Sequence, residues 1–262
     1  MTRQTQTGPV PRQSFLKGGE YFSQWIAYDV AQIQRMTAQI GTAGPSPKLD
    51  AQFVFKIFIK RYELLIEKYS RGDDLTELRA MLPDVVAGWE WARREELEVF
   101  TPEEMRRRHG FAVNFDAYSL ALWMVSLALC LEADEPLLCR IVDLVGNEGE
   151  DRLYERLLAT RIGGRPPGKG LLYPKPYELL DAAIDEQDQG DRDRLMLRFL
   201  KAWYPGMRKA YWHDCHKGKD GGGYFGYWCF EAAGVTRAFG FDDAAWREDP
   251  YYPKDLAAYR RG

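Results

Sequence analysis

Apolar residues recur every three to four positions along most of this chain, the period of an amphipathic helix. Phe22, Ile26, Val30, Ile33, Met36 and Ile40 predict a helix over 20–40. Phe53, Ile57, Phe58, Leu64 and Leu65 predict a second over 49–69, after a break at Gly44, Pro45 and Pro47. A third starts at Asp73 or Asp74 and carries Leu75, Leu78, Leu82, Val85, Val86 and Trp89, with Pro83 expected to kink or divide it. Thr101-Pro102-Glu103-Glu104 has the capping residue, first-turn proline and first-turn acids of a helix start. Further helices are expected over 116–131, 134–145, 151–160, 177–186, 191–211, 224–239 and 242–247. No stretch alternates strictly with β-branched residues, and no Asn-Gly hairpin signal occurs. The expected fold is all-α: a bundle of about ten helices in two consecutive groups, without significant sheet.

With 262 residues the chain is long enough to bury a sizeable core. The polar leader 1–19 is expected to be disordered. An N-terminal helical domain over 20–160 and a C-terminal one over 176–262 are joined by a Gly/Pro-rich connection at 161–175. The 36 Lys and Arg against 39 Asp and Glu, a net charge of −3, argue against a general nucleic-acid binder. The longest apolar stretch, 118–131, is shorter than the ~20 residues of a membrane span. Four scattered cysteines without a CxxC, and a leader without a signal-peptide core, point to reduced thiols in a cytoplasmic protein.

Few residues have the pattern of a reactive site. His213-Asp214-Cys215-His216 gathers soft ligands but lacks the fourth member of a closed zinc site. The same residues suggest an alternative function: a helical HD-like phosphohydrolase in which His213, Asp214 and His216 hold a metal that activates water. His109, about a hundred positions upstream, fits that pattern poorly. Neither Gly163–Gly170 nor Gly221–Gly223 has the GxxxxGK[ST] form of a phosphate loop. No catalytic residue, cofactor or metal is assigned. Arg106–Arg108 with His109 reads as a solvated or ion-paired helix face. Acids gather near helix junctions, with Asp185, Glu186, Asp188, Asp191 and Asp193 in one group and Asp242 and Asp243 in another.

The C-terminal stretch is more particular. It runs Tyr224-Phe225-Gly226-Tyr227-Trp228-Cys229-Phe230-Glu231-Ala232-Ala233, then Gly240-Phe241-Asp242-Asp243, then Tyr252-Pro253-Lys254-Asp255-Leu256. This resembles PoNi-type immunity proteins, whose pattern is an aromatic-Gly-Tyr-Trp-x-x-Glu-Ala-Ala helix, a Gly-x-Asp-Asp turn and a final Tyr-Pro-x-Asp-Leu. The specificity lies in roughly the last 40 residues. The resemblance implies a non-enzymatic helical antitoxin that neutralises a cognate DNase effector, delivered by a bacterial secretion system of the type VI kind. It implies no direct contact with nucleic acid or membrane, and a homodimer is compatible with it.

The motif residues Tyr224, Tyr227, Trp228, Glu231, Tyr252, Pro253 and Asp255 are expected to be structural. On a helix from Tyr224, the first four share one face. A buried Glu231 needs partners, which tyrosine hydroxyls or an arginine would supply. Contact with the toxin is instead expected from an acidic surface of Asp185, Glu186, Asp188, Asp242 and Asp243, set against the basic phosphate-binding groove of a nuclease.

Overall fold

Eleven α-helices and one short 3-10 turn account for the regular structure, with no strand among the described residues. A computed structural model describes residues 9–13, 15–41, 46–218 and 223–261. Residues 1–8 and Ser14 of the leader, the break at Gly44-Pro45, and Gly221-Gly222 lie outside the described residues. The chain divides into two compact units: Met1–Glu95 with Cys215–Gly226, and Glu96–Asp214 with Tyr227–Gly262.

The first unit is built on α1 (Gly19–Gln39), α2 (Pro47–Arg71) and α3 (Leu75–Val99) as far as Glu95. The helical period buries Phe22, Ile26, Val54, Ile57, Phe58, Leu65, Leu82, Val86 and Trp89, with Phe58 stacked on Trp89 at 5.0 Å. Pro83 does not divide α3; it lies on the helix's exposed side. In the leader, Arg12 donates its backbone N–H to Ser70 O at 3.0 Å and its guanidinium to Tyr69 O at 2.7 Å.

This unit also buries a polar cluster. Lys60 Nζ lies 3.1 Å from Asp29 Oδ2 and 2.9 Å from Glu63 Oε2. The neighbouring Glu67 is buried, and its Oε2 has no hydrogen-bond partner. Burial, reinforced by Asp29 and opposed by Lys60, pushes the Glu67 carboxyl up to about 9.

The second unit contains α4 (Pro102–His109), α5 (Phe115–Cys130), α6 (Glu135–Val145), α7 (Arg152–Ala159), α8 (Pro174–Asp185), α9 (Gln189–Gly206), α10 (Phe230–Phe239) and α11 (Lys254–Ala258). Local capping sets many of the starts. Thr101 and Glu104 form a reciprocal capping box, and Asn114, Asp134, Asp151 and Asp188 each accept a backbone N–H of the first turn. Helix α5 is the most apolar and is buried from Ala121 to Cys130; it packs along α10. Their approach is close because residue 234 is glycine. A Cβ there would fall 2.5 Å from Ser126 Oγ and 3.0 Å from Ser126 Cα.

Two expected helices are corrected. The one expected over 224–239 begins only at Phe230, because Gly226 has φ +115°, a conformation that breaks a right-handed helix. Tyr224–Cys229 is irregular backbone. The short helix expected over 242–247 is a run of turns, opened by Asp242 Oδ1 accepting the Ala244 N–H at 3.1 Å. Helix α9 also stops earlier than expected, at Gly206, with turns following.

Two stability measurements follow. Gly234→Ala is expected to cost about 1–3 kcal/mol by overpacking against Ser126, instead of the roughly 1 kcal/mol gain alanine brings to a helix interior. Chemical denaturation reads the sign. For Glu67, the folded chain retains a proton that the unfolded chain releases near the ordinary carboxylate range. Its contribution to stability therefore falls as pH rises from about 4.5 towards 9. Glu67→Gln is expected to raise the melting temperature relative to the parent protein, by a margin that widens from pH 5 to pH 9. Parallel pH profiles would contradict this.

Candidate partner-binding surface

Of the motif residues of the C-terminal stretch, Tyr224, Tyr227, Trp228, Glu231, Tyr252 and Pro253 are interior and Asp255 is half-buried. Tyr224 belongs to the first unit, where its backbone N–H donates to Tyr21 Oη at 3.2 Å and its carbonyl accepts the Tyr21 hydroxyl at 3.0 Å. Its own hydroxyl donates to Gln13 Oε1 at 2.7 Å. Next to it, the Phe225 carbonyl accepts the Ser70 hydroxyl at 2.6 Å. The backbone of Tyr224 and the carbonyl of Phe225 are thus satisfied by side chains, as buried polar groups require.

Tyr227, Trp228 and Glu231 belong to the second unit and are almost fully buried. Glu231 Oε1 accepts the Tyr177 hydroxyl at 3.0 Å and Trp203 Nε1–H at 3.2 Å. Burial pushes its carboxyl above the ordinary range, against the hydrogen bonds from its own backbone N–H, Trp203 and Tyr177. Around it, Trp212 stacks between Trp123 at 5.1 Å and Trp203 at 5.5 Å, and Phe230 meets Trp123 edge-on. The tail closes on the same core. Cys229 N–H donates to Tyr251 O at 2.9 Å, and the Tyr252 hydroxyl donates to Asp243 Oδ2 at 3.1 Å. Pro253 occupies the N-cap of α11, and Asp255 lies in its first turn.

The acidic residues named from sequence lie in the second unit. Asp185 is exposed and ion-paired with Arg156, which holds its carboxyl below the ordinary range. Glu186 Oε1 accepts the N–H groups of Gln187 at 2.8 Å and Asp188 at 2.9 Å. Asp188 caps α9 by accepting the Asp191 N–H at 2.9 Å. Gln189 joins the two acidic groups: its Nε2 donates to Asp193 Oδ1 at 2.7 Å and to Asp242 O at 3.3 Å. The Arg192 guanidinium lies 4.5 Å over the Phe241 ring and holds the same turn. Asp188, Asp191 and Asp242 are exposed there. Asp243 differs. Its side chain is 13% exposed and engages Arg247 Nη1 at 2.9 Å as well as Tyr252.

Other charged groups are internally paired. Glu96 is fully buried; burial raises its carboxyl, but the hydrogen bonds of His109 at 2.8 Å and Arg108 at 2.6 Å outweigh this and lower it. Glu155 is held by Arg165 at 2.8 Å, and Asp181 by Arg152 and Arg156. His213 stacks on Tyr204 at 4.4 Å, with Nδ1 3.8 Å from Asp214 Oδ2. His216 meets Tyr224 edge-on in the first unit. Among the described residues no three His, Cys, Asp or Glu side chains are grouped to hold a metal ion. No described helix is long and apolar enough to cross a membrane. No disulfide joins the four cysteines.

Sequence reasoning anticipated that Glu231 needs donors but did not identify Tyr177 and Trp203. They lie 54 and 28 residues away. It also missed Gln189, whose amide joins two acidic segments 53 residues apart. Neither carries a local signature.

Comparison with known proteins gives a consistent result. A family model described as "PoNe immunity protein (PoNi), N-terminal" matches residues 12–143, and its companion, "PoNe immunity proteins (PoNi), C-terminal", matches 149–256. The crystal structure of protein PA2201 from Pseudomonas aeruginosa superposes with a TM-score of 0.74 at 21% identity, covering 97% of this chain and 91% of that one. At that identity the likeness speaks for the fold. No curated protein matches the chain.

The Glu231 geometry makes a sharp prediction. Glu231→Gln keeps an acceptor for Tyr177 and Trp203 and is expected to stay within about 1 kcal/mol of the parent. Glu231→Ala strands both donors and opens a cavity, and is expected to lose about 3 kcal/mol or more in urea unfolding. Equal losses in the two variants would contradict a hydrogen-bonding role.

Proposed function

The chain belongs to the PoNe immunity protein (PoNi) family, and from that premise we propose that it neutralises a cognate DNase effector by covering the effector's basic DNA-binding surface. The observation that carries this reading is that Gln189 and Arg192 tie the start of α9 to the 241–242 turn, which brings exposed Asp188 and Asp242 together, with exposed Asp191 beside them paired to Arg194. A DNA-cleaving enzyme needs Lys and Arg around its site to receive phosphates. Carboxylates held on a rigid helix junction offer the same groove a substitute for the DNA backbone. Complementary charge also accelerates encounter and rejects wrong partners.

In this proposal the protein performs no catalysis and takes no cofactor. It acts in the cytoplasm, where an incoming DNase meets its substrate, and protects the producer and its kin from an effector delivered by type VI secretion. The interior position of Tyr227, Trp228 and Glu231 supports a scaffold role for the motif, leaving recognition to exposed acids. The contribution of Asp243 to such a face is limited by its pairing with Arg247 and Tyr252.

Co-expression with the nuclease from the neighbouring reading frame tests the reading. Growth rescue and a co-purifying complex are expected. Reversal of Asp185 and Glu186 to lysine together with Asp188→Asn and Asp242→Asn, which keep the side-chain caps, is expected to weaken the complex at least a hundredfold, with a drop of only a few degrees in the melting temperature of the free protein. Undiminished affinity in that variant would place the toxin contact elsewhere, and absence of both rescue and complex would contradict an immunity function.

A further inference from the structure

The charges of α9 are segregated into two halves. From Asp185 to Asp193 the chain has five acids and one base, Arg192. From Arg194 to Tyr211 it has five bases and no acid. The two bases nearest the acids are engaged locally: Arg192 lies over the Phe241 ring and Arg194 pairs with Asp191. Arg198, Lys201, Arg208 and Lys209 are exposed, and none of them forms an ion pair or hydrogen bond among the described residues. The helix dipole does favour acids at a start and bases at an end, but only within the first and last turn. Arg198 and Lys201 lie more than a turn before the end of α9 at Gly206, and Arg208 and Lys209 lie beyond it. A solvated helix ordinarily balances its charge through neighbours three or four residues away, and this half has no such pair.

One exposed helical stripe, through Asp191, Arg194, Leu197, Lys201 and Pro205, joins the two halves. Its centre is apolar: Leu197 is 44% exposed, and Ala202 is exposed beside it. A two-fold axis through Leu197 would lay a second copy of the helix antiparallel to the first and reverse the order of charge. Positions equally far from Leu197 along the chain then face one another. Lys201 meets the half-buried Asp193, Arg208 meets the half-buried Glu186, and Leu197 meets its own copy. An isologous contact requires this arrangement, a patch complementary to itself. A foreign partner imposes no such symmetry.

We propose that the chain forms a reversible two-fold pair through antiparallel α9 helices, with Leu197 on the axis and the acidic half of each copy against the basic half of the other. Exposed opposite charges bind weakly one by one and are screened by salt, so the pair forms at high protein concentration and low ionic strength. The pair covers the acids at the start of α9. Its displacement by the toxin, which rests on the immunity reading, makes it a stored form of the protein.

Sedimentation equilibrium of the full chain without toxin tests the pairing. A monomer–dimer equilibrium is expected, weakened about tenfold or more on going from low to high salt. The double variants Lys201→Glu with Arg208→Glu, and Glu186→Lys with Asp193→Lys, are each expected to weaken it about tenfold or more at low salt. An equimolar mixture of the two is expected to pair as the parent does, because opposite charges again face each other on both sides of the axis. That recovery also shows that both variants are folded. Leu197→Lys places two like charges on the axis in a residue as helix-compatible as leucine, and is expected to dissolve the pair by itself. A parent that stays monomeric at low salt, larger head-to-tail species, a pair indifferent to both reversals, or a pair that survives Leu197→Lys would each overturn the proposal. So would a mixture that stays monomeric while both variants keep the parent's circular dichroism. Titration with the cognate nuclease reads the displacement: a complex that leaves the pair intact would overturn the stored form, whereas a chain that pairs but binds no nuclease would contradict the immunity reading and leave the pairing standing.

Discussion

A carboxylate in the dry interior of the second unit is the constraint on which much of its architecture depends. Glu231 is wholly inaccessible, and a buried charge or acid without partners is costly. Tyr177 from α8 and Trp203 from α9 donate to its Oε1, linking α8, α9 and α10 through a single oxygen, while its Oε2 has no hydrogen-bond partner. The indole and phenol rings that deliver those donors also fill the space around it. The helix hairpin of α8 and α9 presents its junction, with Glu186, Asp188 and Asp191, as the outer end of the same arrangement. In this account an interior hydrogen bond sets the position of an exterior charge.

The other buried acids follow a similar rule with different chemistry. Glu96, Glu155 and Asp181 are each paired with arginine, Glu96 with histidine as well, and Asp151 accepts two backbone N–H groups and the Tyr118 hydroxyl. Such pairs contribute little net stability compared with apolar packing, but removing one partner is expensive. They specify which helix meets which. The balanced composition of the chain is therefore not a dilute surface feature. Part of its charge lies in pairs inside the fold, acid against arginine.

What the sequence disclosed divides along physical lines. Helix starts at Thr101, Asp134 and Asp151 were legible because capping is decided within four residues. The all-α class was legible because the 3.6-residue period is repeated many times. The Tyr224–Cys229 segment misled, since its aromatics fall at helical spacing while Gly226 takes a positive φ and the residues after it belong to the other unit. The donors to Glu231 and the amide bridge of Gln189 come from residues 28 to 54 positions distant, and only tertiary packing brings them together. The turn at 242–247 was read as a helix because an Asx turn and a helix N-cap share the same opening residue.

In the proposed function the aromatic stretch builds the scaffold while the acids at the α9 start and the 242 turn meet the toxin. Hydrogen exchange of the chain with and without its cognate nuclease tests that division most directly. The account predicts slowed exchange of the amides over 186–193 and 242–248 on binding, with those over 230–236 already protected and unchanged. Unaltered exchange at both acidic segments, with new protection confined to residues outside them, would contradict it.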